Sequence, residues 1–186
     1  MSCILEKGFA LGCKDQTGGI KEVYIAAVHA NATFGEEAET GIINTATLGT
    51  ILDPTDGTTV LSTQAYYKFE QRNEQAEFTQ TGNHSVENGT NFWTQAVNLV
   101  FSKNDAETRN LLLMLAKTTV NIVVLDQNDN YWLVGKNNGA DLVSSTSGAG
   151  KAYGDLSGSS VSLEGKEPAP ASLMADAALT SLGIIS

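Results

Sequence analysis

Charge is scarce in this sequence. Charged residues make up 17% of it, against about 25% in an ordinary soluble domain, and Ser, Thr, Asn, Gln and Gly fill the gap. The charges present are unbalanced: 11 Lys and Arg stand against 21 Asp and Glu, a formal net charge of -10. Tight binding to a phosphate backbone needs clustered Lys and Arg, and this chain is too poor in them to supply it. A surface past which nucleic acid slides without sticking is still allowed. Long apolar runs are also missing, and none approaches the ~20 residues of a membrane span. The opening MSCILEKGFALGCKD lacks the basic start and continuous apolar stretch of a signal peptide. Cysteine is scarce. Cys3 and Cys13 have no metal-like spacing and no further thiol to complete a site, so two free thiols in a reducing compartment are expected, with a disulfide as the alternative. Asn31-Ala32-Thr33, Asn83-His84-Ser85 and Asn88-Gly89-Thr90 match the glycosylation triplet, which without a secretion signal reads as chance.

Catalytic groups are equally sparse. The two histidines, His29 and His84, fall in expected loops far apart in sequence, and no nucleophile sits in a recognisable elbow. Glu36, Glu37 and Glu39 form an acidic cluster whose default is a solvated surface. Asp126-x-Asn128-x-Asn130 begins like a calcium loop, but Tyr131 takes the position that needs glycine and Asn137 that of the bidentate Glu. Gly148-Ala149-Gly150-Lys151 invites a phosphate-loop reading, but Ser145 replaces the first glycine and Ala152 the magnesium-binding Ser or Thr. Trp93 and Trp132 could stack on a sugar or a base, yet each lies in a β-pattern that favours packing. No residue is assigned a catalytic, cofactor or metal role, and an enzyme is not the expectation.

What the sequence does contain is β-patterning around one helix. Residues 91–101 (NFWTQAVNLVF) alternate, with Trp93, Val97, Leu99 and Phe101 on one face and Thr94, Ala96 and Asn98 on the other. Asn104 and Glu107 can form a capping box. The run 108–117 (TRNLLLMLAK) is rich in helix formers, with Lys117 near the negative end of the dipole. Its stripe of Thr108, Leu111, Leu112 and Leu115 predicts a helix lying on a sheet. Val120, Ile122 and Val124 return as a strand. The candidate core is therefore Trp93, Val97, Leu99, Phe101, Leu111, Leu112, Leu115, Val120, Ile122 and Val124.

Elsewhere the patterning predicts a strand at 20–28, a long loop or arm at 29–44, a short strand within 42–52 and a tight turn at 53–57. Residues 60–81 read as a strand in which Lys68, Glu70, Arg72 and Glu74 share one face, with Glu77 following. So polar a strand is costly to bury in a monomer, which makes these residues candidates to line a wet channel or an inter-subunit edge. A loop is expected at 83–91 and an antiparallel hairpin across 126–130. A short strand at 140–145, a Gly/Ser-rich loop at 144–158 and a strand at 159–165 follow, stopped by Pro168 and Pro170. The chain of 186 residues is expected to form one domain over 1–171, with 172–186 as a C-terminal tail or short helix. The fold class is mainly β with one principal α-helix, a β-barrel or sandwich with long loops or arms.

The order of features from YYKFEQRNEQAEFTQT through NGTNFWTQAVNLVFSKNDAETRNLLLMLAK and VNIVVLDQNDNYWLVGKNNGADL to GAGKAYGDLSGSSVSLEGKEPAPA resembles the tail-tube superfamily of tailed phages, to which the type VI secretion tube also belongs. The resemblance covers residues 60–171. It implies a β-barrel or sandwich with one flanking helix, a homo-oligomer of hexameric rings whose strands join into an inner barrel, and stacking of rings into a tube that conducts DNA. It also implies other virion tail proteins as partners, a place in the virion tail after assembly in the host cytoplasm, and no cofactor. Two other readings stand beside it: another ring-forming head–tail joining or tail-terminator protein, and, from a different class, a carbohydrate-binding β-sandwich using Trp93 or Trp132.

Overall fold

The computed structural model describes residues 16–28, 34, 36–37, 42–43 and 66–175. Among them lie ten strands and one helix: β1 (Ile20–Ala27), β2 (Ile42–Ile43), β3 (Tyr67–Glu70), β4 (Glu77–Ser85), β5 (Thr90–Phe101), α1 (Ala106–Leu115), β6 (Val120–Asp126), β7 (Tyr131–Val134), β8 (Asp141–Gly148), β9 (Gly158–Glu167) and β10 (Ser172–Met174). The described part of the protein is mainly β with a single short helix. The strands form two open sheets, one of six strands in the order β2-β10-β7-β6-β1-β3 and one of four in the order β4-β5-β9-β8. Neither sheet closes on itself, so no barrel forms within the described residues.

The two sheets pack face to face over one apolar core. Val97 and Leu99 of β5 and Val161 and Leu163 of β9 meet Ile20, Val23 and Ile25 of β1 and Val120, Ile122 and Val124 of β6. Alternation puts these residues on the facing sides. The six-stranded sheet is covered on its other face too, by Phe34 and Tyr66 packed on Tyr24, Ile43, Val123, Leu133 and Met174. We call it the covered sheet and the other the open sheet. Two-sided burial explains why residues 120–125 are apolar almost without a break. Buried amides tie the layers together. Gln95 accepts from Gly135 N at 3.1 Å and donates to Ala169 O at 3.2 Å, while its cross-strand neighbour Gln80 accepts from Ala171 N at 2.8 Å.

The helix begins one residue later than its expected cap. Asp105, not Asn104, accepts from Thr108 N at 2.8 Å, so the predicted capping box with Glu107 is replaced by a simple aspartate cap. Leu111, Leu112 and Leu115 join the inter-sheet core, whereas Leu113 and Met114 face solvent. The leucine face of the helix thus packs on the inter-sheet core.

Several sequence expectations are corrected. The predicted polar strand over 60–81 is two strands: β3 pairs with β1 in the covered sheet, and β4 pairs with β5 in the open sheet. The chain turns at 73–75, where Glu74 takes a left-handed conformation with φ 64. The predicted loop at 83–91 shrinks to 86–89, because β4 runs to Ser85 against β5. The Gly/Ser loop at 144–158 loses its first residues to β8, which pairs with β9 from Asp141 to Gly148; ladder bonds override a loop-like composition there. Residues 172–174 form β10 between β7 and β2, not a tail or helix, and residues 176–186 lie outside the described residues. The stretch 29–44 is no free arm where it is described: Phe34 and Ile43 are buried, and Glu36 pairs with Lys136 at 2.8 Å. Trp93, expected in the core, is half-buried outside it. It lies opposite Gly82, at the point where β5 outruns the apolar contacts of Val97 and Leu99, with its ring edge-on to His84 at 5.7 Å.

Candidate assembly surface

Alternation in the open sheet leaves one face towards the core and one face outward. On β9 the pattern is strict, with Ser159, Val161, Leu163, Gly165 and Glu167 buried while Ser160 and Lys166 are exposed and Ser162 and Glu164 half-buried. The outward face continues across β5 and β4 through Thr94, Ala96, Asn98, Glu77, Thr79 and Thr81, which register places side by side. Its charged residues are Glu77, Asp141, Glu164 and Lys166, a thin and net acidic supply. Hydroxyls and amides dominate, and they bond across strands: Asn98 donates to Glu77 at 3.2 Å and Asn83 to Thr94 at 3.1 Å. Such a face is wetted and rigid at once, and it offers phosphate no cluster of cations.

The edges of this sheet are its second notable property. β4 stands at one edge and β8 at the other, and among the described residues neither has a partner on its far side. β8 is exposed over most of its length. Its one irregularity, between Leu142 and Ser144, is the kind of bulge that discourages uncontrolled pairing at an edge. Beyond it the strand is regular and open. β4 is antiparallel to β5, β5 to β9 and β9 to β8, so β4 and β8 run in opposite directions. Copies related by rotation about an axis along the strands would therefore set β8 of one against β4 of the next as an antiparallel pair, with every ladder continuing in the same sense.

The hairpin of β4 and β5 extends past its neighbours. β9 pairs with β5 from Trp93 to Phe101 only, so residues 83–92 form a two-stranded ribbon. Its tip carries Val86, fully exposed, and Phe92 is exposed near its base.

The sequence-predicted candidates divide between these features. Glu77 lies on the outward face of the open sheet. Lys68 and Glu70 lie on β3, at the edge of the covered sheet, where Lys68 pairs with Glu22 at 2.6 Å. The Lys68 ammonium holds the Glu22 carboxyl below its ordinary range, helped by the Tyr24 hydroxyl, which donates to it. Arg72 and Glu74 lie in the connection between the sheets. The structure brings these five residues to no common face. Sequence reading missed β8 as an edge, since Ser144, Ser145, Thr146 and Ser147 carry no apolar alternation; the alternation of its partner β9 was the available signal.

The loops that hinted at chemistry are internally satisfied. The Asp126 carboxylate accepts from Asn128 N, Asn130 N, the Asn130 amide and Trp132 Nε1 at 2.8–3.1 Å. Burial raises its pKa, but these donors outweigh burial and hold it below the usual carboxylate range. It organises a turn. In the Gly-rich loop the Lys151 and Ala152 amides both donate to Asp155 at 2.7 Å, so the chain's own carboxylate occupies the place a phosphate would take. A cleft of about 410 Å³ is lined by Ile20, Phe78, Gln80, Val124, Asp126 and Trp132. Its Asp126 and Gln80 side chains are already engaged, as is the Trp132 indole N–H. His84 meets the Asn91 side chain at 2.7 Å, and His29 lies outside the described residues. No group of His, Cys, Asp and Glu suited to a metal occurs among the described residues, and no helix there is long and apolar enough to cross a membrane. No family model, curated protein or solved structure matches the chain.

Proposed function

We propose that this chain is the structural subunit of a phage tail tube, assembling edge to edge into rings that stack around a channel for DNA. The observation that carries this reading is the open sheet: four antiparallel strands, a polar outward face and two edges of opposite direction that are unpartnered among the described residues. β4 of one copy pairs with β8 of the next, and the outward faces line the lumen. The resemblance implies six copies per ring, and six such sheets make a barrel wider than the roughly 16–18-stranded barrels that already leave an aqueous channel. The lumen is then surfaced by Thr, Asn and Ser with few charges, and the net charge of -10 keeps DNA from sticking. Glu77 is the lumen residue among the five charged candidates. Lys68 and Glu70 sit at the edge of the other sheet, where they are placed to meet neighbouring copies. The partners are further copies and other tail proteins, and the location is the virion tail after assembly in the host cytoplasm. A head–tail joining or terminator protein uses the same ring contact without stacking.

Negative-stain electron microscopy of the purified protein across a concentration series tests this reading. Tubes with a central channel are the expected result. Isolated rings would shift the assignment to the joining or terminator class, and monomers at every concentration would contradict self-assembly through these edges.

A further inference from the structure

Asparagine is followed by glycine at two places in this chain, Asn88-Gly89 and Asn138-Gly139, and the fold gives them opposite surroundings. Asn-Gly bonds are chemically labile because a glycine nitrogen, unshielded by any Cβ on its own residue, can reach the preceding side-chain carbonyl. Asn88-Gly89 sits at the tip of the β4–β5 ribbon. Asn88 is exposed, and among the described residues its side-chain amide has no hydrogen-bond partner. Gly89 has φ +63, and a Cβ built on it would meet nothing within 4 Å. Below the closing Ser85–Thr90 pair, the hydrogen bond within the tip among the described residues is Asn88 N donating to Ser85 Oγ at 3.3 Å, which leaves the Gly89 nitrogen open.

Asn138-Gly139 is also partly at the surface, but its reacting groups are committed. The Asn138 amide donates to Lys166 O at 2.6 Å, its backbone N–H to Glu167 Oε1 at 2.8 Å, and the Gly139 N–H to Gly135 O at 3.1 Å. Around Gly139 the packing is closed: an added Cβ would fall 2.4 Å from Thr119 Cγ2 and 2.7 Å from Val28 Cγ2. Bringing the Gly139 nitrogen onto the Asn138 carbonyl carbon requires the turn to open first.

We propose that Asn88 is a site of spontaneous deamidation, and that the fold protects Asn138 from the same reaction. The Gly89 nitrogen attacks Asn88 Cγ, its proton is lost, the Cγ–Nδ2 bond breaks, and ammonia leaves. The resulting succinimide is opened by water at one of its two carbonyls, giving aspartate or isoaspartate. Water is the only co-reactant, and nothing is oxidised or reduced. The product places a carboxylate beside Glu87 at the ribbon tip, and the isoaspartate form lengthens the turn backbone by one carbon. Neither change touches the inter-sheet core.

The experiment is a peptide map by mass spectrometry of the full chain, held folded in mildly alkaline buffer, with isoaspartate scored by enzymatic methylation. A parallel sample is held in urea. In the folded protein, conversion at residue 88 is expected to outpace residue 138 by about a hundredfold, equivalent to roughly 2.8 kcal/mol of local opening at 1.4 kcal/mol per tenfold. In urea the two sites should convert at similar rates, which shows that fold and not local sequence sets the difference. Asn88→Gln should remove most of the acidic shift seen by isoelectric focusing of the folded protein. Equal conversion at the two sites in the folded protein would overturn the proposal. So would no conversion at residue 88 under conditions where the urea-treated chain reacts.

Discussion

At the residue scale, the side chains that hold this protein in shape are polar ones with nowhere else to turn. Glu167 is 2% exposed and makes no ion pair among the described residues; its carboxylate accepts from Asn137 N and Nδ2 at 2.9 Å and from Asn138 N at 2.8 Å. It thereby fixes the turn at 135–138 against the end of β9. Gly135 is required in that turn, since it has φ +70 and a Cβ there would fall 2.6 Å from the Gly139 carbonyl carbon. Replacing Glu167 by Ala leaves three part-buried donors without their acceptor and should cost about 1–2 kcal/mol, while Glu167→Gln, which can still accept, should cost about half as much. Urea unfolding midpoints measure both. Asp126 makes a pH prediction. Its folded pKa is depressed, so its contribution is complete above the ~3.9 of an unfolded aspartate and is lost as pH falls through the folded value. Unfolding midpoints taken in steps below pH 5 should therefore fall more steeply for the natural chain than for Asp126→Asn. Parallel curves would refute that role.

At the scale of elements, legibility followed burial. β6 was readable because both its faces are buried, which forces residues 120–125 to be apolar, and β9 because its alternation is strict. α1 was readable from its leucines. The prediction there is a contrast within one helix: Leu115→Ala should cost about 2–4 kcal/mol by leaving a cavity in the core, while Met114→Ala, at a position 68% exposed, should stay within about 0.5 kcal/mol. Thermal unfolding of the two variants decides it. β3 and β4 were not legible as separate strands, and β8 was legible only in its first half, within the strand predicted at 140–145, for related reasons. An edge strand with one wet face has little to bury, so its sequence is free to be polar. Tyr67–Glu70 and Glu77–Ser85 then run together in the sequence as one polar stretch, though a turn carries the chain from one sheet to the other between them. Ser144–Gly148 looks like a loop because the partner strand, and not its own side chains, fixes its conformation. Trp93 misled by strength of pattern: it keeps the inward phase of β5 but lies beyond the reach of the core.

At the scale of the whole molecule, the account is that the open sheet is one segment of a larger closed one. That sheet has a dry face filled by the covered sheet and a wet face of hydroxyls and amides, and its edges, unpaired among the described residues, leave their backbone groups to water in a monomer. Ring closure would satisfy them without rearranging the core, since β4 and β8 already run in opposite senses. Proximity chemistry reports on this contact directly. With Cys3 and Cys13 replaced by Ser, cysteines are introduced at outward-facing Thr79 or Thr81 on β4 and at Ser144 or Thr146 on β8, singly and in pairs, and joined with a short bifunctional thiol reagent. The account predicts that chains bearing one cysteine on each edge form a ladder ending at a single closed species, while chains with both cysteines on one edge do not. Intermolecular cross-links that are absent, or that form equally well for any cysteine placement, would contradict it.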